Sequence, residues 1–423
     1  MSDAHLIGLL LGTEDDWPRA FEAIVRRLPP IGHGGERHAF RTERIMNEPF
    51  DLRATPRYEL VIDRLGWWYD LAREWVKKCA LMNDVYLLNN PFTFQAMEKH
   101  SAYCAMIRLG LKVPETWMVP HKLPVPMHRR EYMASKLEHM ASRYNPPFDI
   151  ERVAEQIGYP LYMKPFDGGQ WVGVTRIANA TALHAQYDAS GERLMHLQAA
   201  VDDFDVFARS LSIGAETIVM RFDPDAAMHE RYHVEHEFLS AEAGWEVVTI
   251  SRLVNAFFRW EFNSCENLVR DGEVHPIDYA NASPDVALTS LHYYFPWAME
   301  ALVKWCVYCT VTGRRMAIDQ HQRRYFDVGD RDDLTYRQKL EQYRRLADEY
   351  FDVAAYDDFC AESLPWMREI VVEYFGSTEF DDLLVDVVRA VFPSHEHEAM
   401  IARHRGLVSA WLRDQEATEA RLP

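Results

Sequence analysis

The sequence has 423 residues, enough for two to four domains at ~100–200 residues each. Hydrophobic residues make up 48% and aromatic residues 13%, which favours a large core and argues against a disordered chain. Because 46 Lys and Arg stand against 65 Asp and Glu, the formal charge is −19. That balance argues against a general binder of nucleic acid or of anionic membranes, since both kinds of binding need a basic face.

Neither a membrane span nor a disulfide framework is expected. No run of about 18 apolar residues occurs, and Asp3 precedes the short apolar stretch 5–12 where a signal peptide would carry a positive charge. Six cysteines in so long a chain do not resemble a disulfide scaffold. Cys306 and Cys309 form a C-x-x-C pair without a second such pair, which favours buried packing. We therefore expect a cytoplasmic protein.

Strand and helix patterns alternate over the first 91 residues. Strands are predicted at 6–11, 58–62 and 84–88, and helices at 17–28 and 67–80. This alternation is typical of a mostly parallel sheet. Residues 32–55 are predicted as an irregular loop, and a loop of that length is usually mobile or functional.

The rest of the chain divides into a mixed segment and a helical one. The mixed segment has predicted helices at 94–109 and 150–157, and strands at 113–119, 161–164 and 174–177, with strand patterns continuing to about residue 280. Long helices then follow at 297–311, 336–351, 361–374, 380–391 and 395–415. The predicted domains are 1–91, 92–290 and 291–423.

Two lysines stand where a phosphate could be bound. Lys99 lies in a predicted helix near the mouth of the parallel sheet, where an ammonium can reach a nucleotide phosphate; a surface lysine would look the same. Lys164 ends an apolar strand and precedes a loop with Gly168 and Gly169. Glycines let the backbone approach a phosphate and donate N–H groups to it, although a plain hairpin loop is the alternative.

Two further polar groupings follow along the chain. Gln198 ends an apolar strand where it could face an adenine edge, and Asp205, seven positions on, could bind ribose hydroxyls; a strand and an acidic turn would also fit. Glu261, Asp278 and Asn281 supply the oxygen ligands that suit magnesium. In a strand Glu261 shares a face with Asn263, and satisfied polar side chains near a turn remain the alternative.

In this order the features resemble the ATP-grasp superfamily over roughly residues 85–290. The order looks most like the peptide-bond-forming branch, which includes D-alanine–D-alanine ligase, glutathione synthetase and glutamate ligases. The resemblance is carried by Lys99 and the strand after its helix, Lys164-Pro165 with its glycine loop, Leu197-Gln198, and the stretch from Asp278 to Pro284.

The sequence departs from the family pattern in three places. The spacing from Asp278 to Asn281 is one residue longer than the usual Glu-x-Asn, and the bulky Trp171 stands in the glycine loop. The other metal carboxylate is open between Glu261 and Glu266.

The resemblance implies an α/β (α+β) fold. A parallel N-terminal α/β domain would precede an ATP-grasp pair of subdomains, with an α-helical C-terminal extension. It also implies ATP and two Mg²⁺ ions. Lys99 and Lys164 would neutralise the α- and β-phosphates, and magnesium would be held by Glu261, Asp278 and Asn281. The other nucleotide-binding residues implied are Gly168, Gly169, Gln198 and Asp205.

The implied reaction joins a carboxylate to an amine through an acyl phosphate and releases ADP and phosphate. Its oxyanion needs a fixed cation, and Arg252 and Arg259 are the catalytic candidates because a guanidinium can hold a carboxylate or phosphate bidentately. A surface position fits Arg252 and Arg259 equally well. Arg209 is a weaker candidate for binding the substrate.

The expected partners are a small carboxylate and an amine, such as an amino acid or peptide, with no nucleic acid and no membrane; a homodimer is compatible. Two other functions stay open. One is a phosphotransferase on the same fold, and the other is a non-catalytic ATP-binding or adaptor protein.

Overall fold

The computed structural model describes residues 4–93, 99–122, 143, 148–169, 171–281 and 283–419. Over these residues, no helix combines the length and the apolar character needed to cross a bilayer. The prediction of an α/β fold with a helical C-terminal region is confirmed. The domain boundaries stay a prediction.

The N-terminal part forms a four-stranded parallel sheet, as the strand–helix alternation predicts. Its elements in chain order are β1 (His5–Leu10), α1 (Asp16–Arg27), β2 (Ile31–His33), β3 (Glu36–His38), β4 (Phe40–Arg44), β5 (Leu60–Asp63), α2 (Asp70–Asn83) and β6 (Tyr86–Leu88). The strand order is β4-β1-β5-β6, and all three pairings are parallel. Strand β1 is a continuous apolar run because helices and neighbouring structure cover both faces of a parallel sheet.

The prediction of an irregular loop over residues 32–55 was partly wrong. That stretch holds the end of the β2–β3 hairpin and the whole of β4, which pairs with β1 at the sheet edge. Strand β4 has no fully buried residue. Since its polar sequence, FRTER, lacks the apolar pattern of a strand, backbone pairing to β1 rather than side-chain burial fixes it.

A second, antiparallel sheet carries Lys164 and Gln198. Its elements are α3 (Lys99–Arg108), β7 (Thr116–Val119), α4 (Ile150–Ile157), β8 (Leu161–Pro165), β9 (Thr175–Ile177), α5 (Ala180–Ser190) and β10 (Met195–Ala199), with strand order β7-β10-β8-β9. Helix α4 begins where the Asp149 carboxylate accepts the backbone N–H groups of Glu151 and Arg152. The predicted start of the helix at 94–98 lies outside the described residues.

A third sheet is also antiparallel and carries the acidic residues. Its elements are β11 (Val206–Ile213), β12 (Glu216–Phe222), β13 (Tyr232–His233), α6 (Ala241–Phe258), β14 (Phe262–Arg270) and β15 (Glu273–Asn281), with strand order β13-β12-β11-β14-β15. The expectation of strands through residue 280 was wrong for 241–258. Helix α6 is buried on most of its surface, and such a helix lacks the one-sided apolar stripe that would distinguish it from a buried strand.

The described part of the C-terminal region, up to residue 419, consists of helices joined by loops. Its helices are α7 (Leu288–Leu291), α8 (Phe295–Val311), α9 (Gln322–Gly329), α10 (Tyr336–Phe351), α11 (Val353–Ser363), α12 (Met367–Phe375), α13 (Thr378–Val391) and α14 (His397–Glu419). The single helix predicted at 361–374 is two helices that break at Leu364. Leu364 precedes Pro365, and a residue before proline is pushed out of the helical region.

Two apolar cores underlie these sheets. The first and third sheets share one large core with the C-terminal helices, and the second sheet has a smaller core of its own. Cys306 and Cys309 are buried in α8 as free thiols, and burial raises the pKa of both. Gly214 adopts a positive φ of 55°, and a Cβ there would overlap the Trp305 ring, so the β11–β12 turn requires glycine.

Candidate active site

A cavity of about 700 Å³ lies where the three sheets meet. This volume falls within the range of about 300–1,000 Å³ that is typical of small-molecule sites. All three sheets and their loops contribute to its wall. Among its lining residues are Glu14, Arg64, Lys99, Lys164, Gly168, Gly169, Gln198, Arg209, Glu266, Asp278 and Asn281.

The two sequence-predicted lysines both line the cavity, and Lys99 pairs with Asp278. Lys99 is the first described residue of α3, and its Nζ lies 2.5 Å from Asp278 Oδ2. Lys164 comes from β8, and its Nζ donates to Gln198 Oε1 at 2.7 Å and to the Ile277 carbonyl at 3.4 Å. Both ammonium groups are nearly buried. Two cations from distant parts of the chain therefore line one cavity.

Burial and mutual charge shift the pKa values of this cluster. Burial lowers the pKa of Lys164 to about 8, and Lys99 adds to the lowering, while Asp278 and Glu266 oppose it. Burial also opposes ionisation of Asp278, but the two lysines hold the pKa of that carboxyl below its usual value. The pKa of Glu266 is raised by burial and by Asp278, against the opposing effect of Arg209. The cluster thus consists of positively and negatively charged groups that are partly desolvated.

Glu266, Asp278 and Asn281 form the oxygen-rich wall of the cavity. A bulge between β14 and β15 sets Glu266 opposite Asp278 and Ser264 opposite Asn281. The Asn281 side-chain amide donates to Ser264 Oγ at 2.7 Å. No group of three or more His, Cys, Asp or Glu residues able to hold a metal occurs in the described part of the chain. The donor set here is two carboxylates and one amide, a chemistry that suits Mg²⁺ better than softer metals.

Glu261 does not line this cavity, which contradicts its prediction as a metal ligand. Its carboxylate accepts hydrogen bonds from Tyr86 Oη at 2.7 Å, from Trp305 Nε1 at 2.8 Å and from Tyr350 Oη at 2.8 Å. Arg314 lies 3.9 Å away. These partners come from β6, the C-terminal helices and the residues after α8, so Glu261 is a buried structural carboxylate that joins them.

Arg252 and Arg259 also lie away from the cavity. Arg252 pairs with Asp348 on α10 at 2.7 Å. Arg259 ends α6 in the left-handed conformation and donates to the carbonyls of Ala256, Asp319 and Gln320. Neither arginine lines the cavity, so the structure does not bring these two catalytic candidates to the lysines and the acidic wall.

The cavity receives Arg209 instead. Its Nη1 lies 3.4 Å from Glu266 Oε1, its Nη2 donates to Ser264 Oγ at 3.5 Å, and its guanidinium lies over the Phe222 ring. Arg209 Nε is buried and has no hydrogen-bond partner among the residues that the structure describes. Arg209 is therefore a fixed cation beside the acidic wall, with one donor still open.

Of the other predicted nucleotide-binding residues, three line the cavity and one does not. Gly168, Gly169 and Gln198 line it, and Gly168 has a φ of 95° that favours glycine. Gln198 is held between Lys164 and Thr116 Oγ1, to which its Nε2 donates at 2.8 Å. Asp205 is exposed and accepts the backbone N–H of Asp271, away from the cavity. The structure thus separates the predicted ribose acid from the other nucleotide residues.

The cavity lining also includes residues that were not among the sequence predictions, such as Glu14, Arg64 and Arg231. Arg64 follows β5 at the carboxyl end of the parallel sheet. Ligands bind at that end in open α/β sheets, so its position in the sequence could have identified it. Arg231 lies on the connection between β12 and β13, where nothing in the sequence marks it.

Comparison with known proteins gives structural similarity alone. No family model and no curated protein matches the sequence. A RimK-domain ATP-grasp protein from Sphaerobacter thermophilus is 14% identical, covers 71% of this chain and 98% of its own, and has a TM-score of 0.49. D-alanine–D-alanine ligase from Bacillus anthracis, complexed with ATP, is 12% identical, covers 82% and 99%, and has a TM-score of 0.47.

A carboxyaminoimidazole ribonucleotide synthase from Aspergillus clavatus, also complexed with ATP, is 12% identical, covers 68% of this chain and 73% of its own, and has a TM-score of 0.45. These three solved structures are ATP-grasp proteins, the superfamily that the motifs resemble. At these identities and scores the likeness concerns the general arrangement of the chain. Any function has to be argued from the cavity itself.

Proposed function

We propose that this protein is an ATP-dependent ligase that joins a carboxylate to an amine through an acyl phosphate, releasing ADP and phosphate. The observation that carries the proposal is that Lys99, Lys164 and Asp278 line one cavity together with Gly168 and Gly169. Two ammonium groups, a glycine loop and an acidic wall together match the charge pattern of a polyphosphate with its divalent cation.

Magnesium would be held by Glu266, Asp278 and Asn281, which replace the set that included Glu261. When bound there, Mg²⁺ supplies Lewis-acid polarisation of phosphoryl oxygens. Lys99 already neutralises Asp278 at 2.5 Å, so an incoming phosphate competes with that carboxylate for the ammonium. Lys164 holds a second phosphate, and Gln198 faces the adenine end.

The proposed reaction has two displacements. An oxygen of the substrate carboxylate attacks the γ-phosphorus, the bond from that phosphorus to the bridging oxygen breaks, and ADP leaves. The amine nitrogen then attacks the acyl carbon, the carbon–oxygen bond to phosphate breaks, and the amine loses a proton to solvent. Arg209 stabilises the oxyanion, since it is a fixed guanidinium with an open Nε donor beside Glu266.

The test begins with equilibrium binding of ATP, with and without Mg²⁺, to the full-length protein. ADP release and product mass are then measured with a panel of amino acids and carboxylic acids. We expect Mg²⁺-dependent ATP binding and an amide product that appears only when both substrates are present. A stable phosphorylated product formed without amine would indicate a phosphotransferase, and a folded protein that binds no ATP would contradict the proposal.

The cavity is of small-molecule size, which supports a small carboxylate and a small amine as the proposed substrates. A cytoplasmic location and a homodimer stay predictions from the sequence.

The lowered pKa of Lys164 predicts a pH dependence for nucleotide binding. Because this group titrates near pH 8, it is charged below that pH and loses its charge as the pH rises through 8. A bound phosphate favours the charged form, so binding at pH 8.5 should take up protons and the affinity should fall at higher pH. Calorimetry in buffers of different ionisation enthalpy measures this uptake, and the Lys164→Met variant should lose it. An uptake equal in variant and wild type would contradict the assignment to Lys164.

A further inference from the structure

Arg64 is a cavity residue that the proposed reaction leaves unused. It follows β5 directly, and its backbone N–H donates to the Leu10 carbonyl at 2.8 Å, which ties it to the carboxyl end of the parallel sheet. Only 6% of its side chain is exposed, and it lines the cavity. The guanidinium lies 5.4 Å from the centroid of the Phe262 ring. A long flexible cation is thus held against the cavity wall by packing and by its backbone.

One edge of the Arg64 guanidinium is occupied by Glu14. Both Nε and Nη2 lie 2.8 Å from Glu14 Oε1, and Glu14 Oε2 accepts the backbone N–H of Gly12 at 3.2 Å. Glu14 therefore has both oxygens engaged and fixes the orientation of the guanidinium. Arg64 Nη1 is buried and has no hydrogen-bond partner among the described residues. A buried donor without an acceptor is costly, so a water or a ligand has to supply one.

We propose that Arg64 binds the carboxylate of an amino-acid substrate, namely the carboxylate that is not activated by ATP. This inference rests on the proposed function. The phosphate-binding lysines and Arg209 belong to α3 and to the second and third sheets, whereas Arg64 reaches the cavity from the first sheet. A guanidinium that lines the cavity, with one edge held by Glu14 and Nη1 unpaired, has a donor left for an anion. Arg64 is thus a specificity residue, and Glu14 is a positioning residue that acts through it.

The test measures binding in the full-length protein, with Mg²⁺ and a saturating non-hydrolysable ATP analogue. The probes are the 20 common L-amino acids and D-alanine, each compared with its carboxamide by calorimetry. We expect at least one amino acid to bind tenfold or more tightly than its carboxamide. Arg64→Gln should weaken binding of that amino acid about ten- to a hundredfold, the range for a hydrogen bond to a charged group, and should leave the affinity for the analogue within about twofold.

A matched control is Arg57→Gln. Arg57 is also an arginine of the N-terminal part, is largely exposed, and pairs with Glu43 outside the cavity. The Arg57→Gln variant should keep the wild-type affinity for both the amino acid and the ATP analogue. Glu14→Gln keeps the charge of Arg64 and should retain the preference for the carboxylate over the carboxamide. Should Arg64→Gln not fold, Arg64→Lys keeps a cation in place and should reduce that preference by about three- to tenfold.

The outcomes separate this inference from the proposed function. If the wild-type protein does not bind the ATP analogue, both are overturned. If the analogue binds but no amino acid is preferred to its carboxamide, only the Arg64 inference is overturned. The same holds if Arg64→Gln keeps the preference and loses only thermal stability, since Arg64 would then be a structural arginine with a water on Nη1.

Discussion

Replacing Lys164 with methionine should reduce ATP-dependent turnover by about a hundred- to a thousandfold, the effect of removing one preorganised charged donor from an active site. Lys164 is buried, and its protein partners are a neutral amide oxygen and a carbonyl, so its charge remains available to a phosphate. Methionine has a similar length and tolerates irregular apolar surroundings. The measurement is ADP release, together with ATP affinity by calorimetry.

Stability should change little in this variant, because replacing a buried charge by an apolar side chain of similar volume is often neutral. Thermal melting checks that expectation. The matched control is Lys112→Met, since Lys112 pairs with Glu273 at 3.1 Å and lies outside the cavity. It should keep wild-type turnover. A folded Lys164→Met protein with unchanged ATP affinity would contradict the proposed function.

The part of the site that could be predicted from the sequence consists of residues at the ends of recognisable strands. Lys164 and Gln198 lie near the ends of apolar strands, and in the structure these strands pair directly, with His196 opposite Lys164 and Gln198 opposite Tyr162. Asp278 and Asn281 likewise stand near the end of a strand. In each case strand, loop and polar residue lie within a few positions of one another, so local pattern is sufficient.

The part that could not be predicted depends on which face of a strand meets the cavity. Period-two alternation predicts Glu261 and Asn263 on one face, but neither residue lines the cavity, and Asn263 donates to Asn255 of α6 at 2.8 Å. The bulge in β14 and β15 helps to set Glu266 opposite Asp278. Neither the bulge nor the position of α6 can be inferred from alternation alone.

The helix α6, which the sequence analysis predicted as strand, also explains why Arg252 and Arg259 were chosen as catalytic candidates. Once residues 241–258 are read as strand, Arg252 and Arg259 appear to approach the acidic motif, whereas on α6 they face α10 and the loop at 319–320. Arg209 reaches Glu266 because β11 pairs with β14, a contact between residues 57 positions apart. Such long-range pairing cannot be recognised from the local sequence. For this reason Arg209, the weaker candidate in the sequence analysis, is the arginine that lines the cavity.

Exchanging Glu261 for alanine should lower the free energy of unfolding by about 3–5 kcal/mol, the usual cost of breaking a buried charge pair by removing one partner. The change leaves Arg314 without this carboxylate and removes the shared acceptor of Tyr86, Trp305 and Tyr350. Unmet buried donors add to the loss. Urea denaturation monitored by tryptophan fluorescence measures the effect, and Glu261→Gln, which keeps one acceptor oxygen, should be less damaging.

Glu266→Gln should affect turnover rather than stability, the opposite of the change at Glu261. Glu266 lines the cavity, and its only ion pair in the described structure is the 3.4 Å contact with Arg209. We expect near-wild-type stability, a much higher Mg²⁺ concentration for half-maximal turnover, and a large fall in turnover itself. Magnesium titrations of ADP release on both variants, made at a temperature where Glu261→Gln stays folded, compare the two carboxylates directly. If Glu261→Gln is stable and needs more Mg²⁺ while Glu266→Gln does not, the metal role returns to Glu261, despite the four side chains that contact it.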